Sequence, residues 1–188
     1  MDAIQAITQR VSAPQLTGPG PTSQQIETLF QAALRAPDHA WLRPWRYLTV
    51  QGDAQHELGE LFLKAALAKD PELSAEKQAK TLNMPKRAPL LVVAIADKKE
   101  HPKVPALEQQ LAVGAGVQNL ITTAYAMGLG AIWRTGDMAY SDIVKRGLGL
   151  KENEDIIGFV YIGHVNCKLK SAPQMETADF VQSWGRKP

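Results

Sequence analysis

A single cysteine, Cys167, is all the thiol that this 188-residue chain contains. It leaves no disulfide framework and no thiol pair for dithiol redox chemistry. Charge of one sign is equally scarce: 21 Lys and Arg stand against 19 Asp and Glu, a formal net charge of +2. Without a block of Lys or Arg to act as a phosphate stripe, that balance argues against a nucleic-acid partner. Long hydrophobic runs are missing as well. The longest apolar strand-like run, Pro89 to Ala96, falls far short of the ~20 residues that a bilayer span requires. The first residues carry Asp2 and no apolar signal core, so no export is expected and cytoplasm is the default compartment. No His and Cys cluster has metal-ligand spacing, so no metal is expected.

What remains is an ordinary globular composition, 45% hydrophobic and 21% charged, long enough for one domain over residues 1–188. Periodicity predicts helices near 2–9, 23–36, 53–68, 72–82 and 141–147, and a long one from 105 to 127. Strands are predicted near 46–51, 89–96, 129–134 and 156–163. Asp2 caps the first helix, with Ile4 and Ile7 on one face; Thr22-Ser23-Gln24-Gln25 reads as a capping box ahead of Ile26, Leu29, Phe30, Ala33 and Leu34. Strands and helices do not alternate singly, so the fold class is α+β, a central mixed or antiparallel sheet flanked by helices. Pro71 to Pro85 is polar and Lys-rich and reads as a mobile excursion or lid. On the long helix, Ala112, Ala115, Gly116, Asn119 and Thr123 form a small-residue face that admits another helix, of its own core or of a second chain.

Three segments carry chemistry. In Gly128-Leu129-Gly130-Ala131-Ile132-Trp133-Arg134-Thr135-Gly136, two glycines let the chain leave a helix and begin a buried strand that ends in a guanidinium, a hydroxyl and a glycine. Such an end suits a phosphate or a carbonyl-rich ring, and it equally suits a solvated Arg. Gln9-Arg10-Val11-Ser12 offers a second Arg and hydroxyl at a helix end that Pro14 enforces. The loop from Arg35 to Trp45 holds Trp41, Trp45, His39, Arg35 and Arg43; Trp45 suits core packing, while Arg35 and His39 suit ligand binding or loop bracing.

In order and spacing, Gln9-Arg10-Val11-Ser12, Arg35-Ala36-Pro37-Asp38-His39 with Pro44-Trp45, and Gly130 to Gly136 resemble the nitroreductase family, in its small YdjA-like branch. The likeness runs from Met1 to about Gly163. It implies a nitroreductase-like fold, with a C-terminal tail contacting the partner chain, and a homodimer that holds FMN at its interface. It implies FMN contacts from Arg10, Val11, Ser12, Trp133, Arg134 and Thr135 of one chain and from Arg35 and His39 of the other. Thr123, Ala124, Tyr125, Ala126, Met127 and Gly128 match a segment assigned to NAD(P) in this branch. The implied activity is ping-pong transfer of a hydride from NAD(P)H through FMN to a nitroaromatic, a quinone or a similar small acceptor, with no catalytic side chain beyond the flavin. The family commonly carries a second Arg where this chain has Val11. The alternatives are a flavin-binding or sensor protein without turnover, or an FMN enzyme of the same fold that dehalogenates or cleaves a flavin.

Several other patterns are decoys. Gly114-Ala115-Gly116-Val117-Gln118-Asn119 imitates half a dinucleotide fingerprint inside a helix, not between a strand and a helix. His56-Glu57-Leu58-Gly59-Glu60 lacks the second His of a zinc-protease motif. His164, Asn166 and Cys167 have no partners for a triad, and His101 sits in a solvated, charged loop.

Overall fold

The computed structural model describes residues 1–185. Five strands form one antiparallel sheet: β1 (Leu16–Thr17), β2 (Trp45–Val50), β3 (Leu90–Asp97), β4 (Gly130–Arg134) and β5 (Glu154–Val165). The spatial order is β1-β5-β3-β2, and β4 pairs with β5 as well. β5 is therefore the spine, bonded to β1, β3 and β4. Among the described residues six α-helices surround the sheet: α1 (Ala3–Gln9), α2 (Ser23–Ala33), α3 (Asp53–Lys69), α4 (Ala75–Leu82), α5 (Ala106–Ala126) and α6 (Asp142–Gly147).

β3 is buried from Leu90 to Ala96 because both faces of the sheet are covered. Leu90, Val92, Ala94 and Ala96 face α2 and α5, where they meet Leu29, Val113, Val117 and Leu120. The alternate residues Leu91, Val93 and Ile95 face the other layer, built on Leu58, Phe62 and Val144. The small-residue face of α5 is used inside the chain. A Cβ on Gly116 would lie 2.5 Å from the Tyr47 hydroxyl and 3.1 Å from the Ala33 carbonyl, and Asn119 donates to the Ala32 carbonyl at 3.1 Å. α2 is thus the helix that this face admits.

The caps follow the sequence. Asp2 accepts from the Gln5 amide, and Thr22 and Gln25 close a reciprocal capping box. α2 stops at Ala33, before Pro37 can end it, and Leu34 is left exposed. Ile4 and Ile7 are exposed too, and Ala6 is the residue that α1 buries.

The 71–85 segment is no loose excursion. α4 folds back on α3, and Gln55 at the start of α3 donates to the carbonyls of Pro85 (2.9 Å) and Ala88 (2.7 Å). Gly59 makes the close approach possible, since a Cβ there would meet the Leu82 carbonyl oxygen at 2.1 Å. Gly59→Ala should therefore destabilise by about 1–3 kcal/mol through overpacking, although the same change in an exposed helix interior stabilises. Denaturant unfolding checks the sign, and a stabilised variant would mean that α4 does not dock there. Beyond β5 the chain runs exposed to residue 185, with Met175, Phe180, Val181 and Trp184 open to solvent. No helix among the described residues is long and apolar enough to cross a membrane.

Candidate active site

The edge of β4 receives the segment that follows α1. After α1 the chain runs beside this strand, and the Ala13 amide donates to the Ala131 carbonyl at 3.0 Å. That bond ties the segment that follows Arg10-Val11-Ser12 to the strand that ends in Trp133-Arg134. Gly130 is required for space, not for an unusual backbone angle: a Cβ would lie 2.6 Å from Leu16, 2.8 Å from Val165 and 3.0 Å from Ala13. Gly128 is the residue that uses left-handed freedom, at φ +78°.

β4 rises out of the core along its length. Gly130 and Ala131 are buried, Ile132 is half-buried, and Trp133 and Arg134 are exposed, so the strand is not buried to its end. Alternation sends Trp133 and Arg134 to opposite faces. The Trp133 indole lies across β5, where its N–H donates to the Ile157 carbonyl at 3.2 Å, and its ring edge approaches Gly114 of α5. Gly158 makes room for it; a Cβ there would sit 2.0 Å from the indole nitrogen. Arg134 points to the other layer, close enough to Tyr161 for its charge, with that of Arg87, to oppose the rise that burial imposes on the Tyr161 phenol. Arg87 is held by the turn that Gln55 pins. Polar residues bounding a helix start and a proline-containing turn give no hint that they meet.

Among the described residues, Arg10, Arg35 and Arg134 make no ion pair. Ser12 and Thr135 are exposed, and Val11 is half-buried. Arg35 follows α2 and is exposed. His39 Nδ1 lies 2.8 Å from the Glu108 carboxylate, which accepts, on the first turn of α5, and with Leu111, Ala112 and Ala115 it borders a shallow groove of about 600 Å³. On an α-helix Gly114, which Trp133 overlies, lies roughly a third of a turn away from that face. Within one chain, His39 and Trp133 thus stand over different stripes of α5.

The loop that carries His39 is held in a costly shape. Ala40, Trp41 and Arg43 all have positive φ, at 58°, 54° and 51°. Asp38 braces it: its buried carboxylate accepts from the Arg43 amide at 2.8 Å and lies 3.6 Å from the Arg43 guanidinium. Arg43 in turn covers the Trp41 ring at 5.7 Å. Trp41 is nonetheless exposed, whereas Trp45 packs against the core. Three left-handed residues outside glycine cost of the order of 1–2 kcal/mol each, and such strain concentrates at functional loops.

Thr123 to Gly128 lie elsewhere. They form the last turn of α5 and the turn into β4, at the opposite end of that strand from Arg134, about 13 Å away at the usual strand rise. Ala124 is fully buried, and its carbonyl accepts from the Met127 and Leu129 amides, so its side chain has no surface to offer a nucleotide. Of the decoys, His56 forms an exposed pair with Glu60 at 3.4 Å.

This fold is shared with solved structures. One is the nitroreductase-like family protein from Bacillus cereus, with TM-score 0.83 and 20% identity, covering 98% of this chain and 96% of that one. Another is the NADPH:FMN oxidoreductase from Vibrio harveyi complexed with NAD+, with TM-score 0.75 and 22% identity, covering 98% of this chain and 78% of that one. Sequence fixes the family. Residues 7–164 match the profile of the nitroreductase family, and the chain is 33% identical to "Putative NAD(P)H nitroreductase YdjA" of Escherichia coli (strain K12) over 92% of this chain and 93% of that protein. The chain belongs to the nitroreductase family, an oxidoreductase class.

Proposed function

We propose that this protein is an FMN-dependent NAD(P)H oxidoreductase whose flavin sites lie between two copies of the chain. The Ala13–Ala131 bond carries this reading: it ties the segment that bears Arg10 and Ser12 to the strand that leads into Arg134 and Thr135, and among the described residues neither guanidinium has a carboxylate partner. That donor set fits a doubly charged phosphate and the carbonyl-rich end of a flavin ring. Arg10 and Arg134 would hold the negative parts of FMN, with Ser12 and Thr135 donating to them and Trp133 forming an apolar wall. FMN, when bound, supplies the redox chemistry, accepting electrons from NAD(P)H and passing them to a nitroaromatic, a quinone or a similar acceptor. The chain's own residues bind, orient and leave one face open.

The second copy enters because the family likeness draws Arg35 and His39 from a partner, and within one chain His39 and Trp133 stand over different stripes of α5. It also explains exposed apolar surface that a monomer would leave wet. Ile4 and Ile7 of α1, Leu107 and Leu111 of α5, and the tail residues Met175, Phe180, Val181 and Trp184 are all exposed. A partner's groove or helix would cover them.

The test is anaerobic addition of NADH or NADPH to the FMN-loaded protein, followed by flavin absorbance. Bleaching is the expected result. Bound flavin that neither donor bleaches would favour a binding protein without turnover. A second test mixes lesions: when Arg134→Ala and His39→Ala chains are co-expressed, one site of each mixed dimer carries both changes and the other none. About half of the mixed dimers' sites should bind FMN normally. If both single variants are impaired and no rescue occurs, the site is not shared between chains.

A further inference from the structure

A second cavity opens on the layer away from α5, between the α3–α4 hairpin and the turn that follows β4. Its volume is about 810 Å³, within the range of small-molecule sites. The space exists because α3 places two alanines, Ala65 and Ala66, side by side along its flank, while the hairpin is clamped shut one end away, where Leu82 rests on Gly59. Leu73, Met84 and Met138 complete an apolar floor. Two thioethers in one wall adapt to flat or irregular apolar shapes.

The rim has the opposite character. Lys69, Lys77, Lys80 and Arg87 border the opening, against Asp70 and Asp137. Asp137 is already taken: its carboxylate lies 2.6 Å from Lys69 Nζ, and that hydrogen bond holds its pKa below the usual aspartate value. Among the described residues, Lys77, Lys80 and Arg87 have no carboxylate within ion-pair distance. Lys77 and Lys80, three residues apart, share one face of α4, so their charges repel where a solvated helix would gain from an acid at one of the two positions. A focused positive rim over an apolar floor recruits a molecule with both features.

We propose that this cavity is a binding site, distinct from the β4 edge, for a small organic anion with a flat apolar body, its carboxylate, sulfonate or phosphate held by Lys77, Lys80 and Arg87. The Lys69–Asp137 pair bridges α3 to the residue that follows Gly136, so an occupant lies against the segment that carries Arg134 and Thr135.

The probe is 1-anilinonaphthalene-8-sulfonate, titrated by fluorescence into the flavin-loaded protein, with neutral N-phenyl-1-naphthylamine as the uncharged counterpart. The double variant Lys77→Glu and Lys80→Glu, both exposed, should weaken sulfonate binding at least tenfold and leave the neutral amine within about twofold. Lys64→Glu with Lys103→Glu makes the same change in net charge away from the cavity, and should leave both probes within about twofold. Equal losses in the two double variants, or no sulfonate binding by the parent protein, would overturn the proposal. Flavin content separates it from the flavin reading. It should be unchanged in the Lys77 and Lys80 variant; loss of FMN there would assign the cavity to the cofactor and overturn a distinct site.

Discussion

Arg10→Ala and Arg134→Ala should each weaken FMN binding by about 1.5–3 kcal/mol, roughly ten- to a hundredfold in Kd, the scale of a hydrogen bond to a charged group. Removing both should prevent the protein from purifying with flavin. The melting temperature of the flavin-free protein should barely move, because among the described residues neither guanidinium makes an ion pair or a side-chain hydrogen bond. Fluorescence titration of FMN into each variant, with thermal unfolding of the apo forms, measures both quantities. Equal loss of apo stability with unchanged FMN affinity would make these residues braces of the fold instead of ligands.

Glu154→Ala should cost about 1–3 kcal/mol of folding stability, the scale of charge-assisted hydrogen bonds lost from a pair whose Arg46 side chain is 35% exposed. Glu154 opens β5 with a side chain only 1% exposed. It accepts from Arg46 Nε at 2.7 Å, from Arg46 Nη2 at 2.8 Å and from the Lys151 amide at 2.9 Å. The Arg46 hydrogen bond is the largest influence and holds the carboxyl below the ordinary glutamate value, against the opposing effect of burial. A carboxyl whose folded pKa is lowered adds stability that is present above its unfolded pKa and lost as pH falls through the folded one. The native protein should therefore lose stability on acidification from just below the pH at which a free glutamate protonates, and Glu154→Gln should flatten that part of the curve. Urea unfolding from pH 7 downward tests it; parallel curves would show that Glu154 is not the group responsible.

Much of this was legible in the chain because local chemistry decided it. Asp2, Thr22 and Gln25 cap as their types suggest, and the long helix was bounded within a residue or two by Pro105 and Gly128. The Arg10 and Arg134 motifs stood out through an unusual pairing of cation, hydroxyl and turn. What escaped was whatever depended on a distant neighbour. Glu154 and Asp155 look like loop residues, so β5 was read as starting at 156; Arg46, more than a hundred residues earlier, turns Glu154 into a strand residue. The two-residue β1 has too little pattern to see, and it exists because Val165 and His164 bond to it. Pro71 to Pro85 looked mobile because its polar surface says nothing of Gly59, whose missing side chain lets it dock.

The central place of β5 in the sheet bears on how the chain is made. Only β2 and β3 can pair before residues 154–165 exist; β1 and β4 bond to β5 and to no other strand. During synthesis β3, apolar from Leu90 to Ala96, therefore has one unpaired edge until the last fifth of the chain leaves the ribosome. An edge of that kind is the form most prone to association with other chains. A nascent chain stalled before residue 154 should need a chaperone more than the finished protein does, however stable the latter proves.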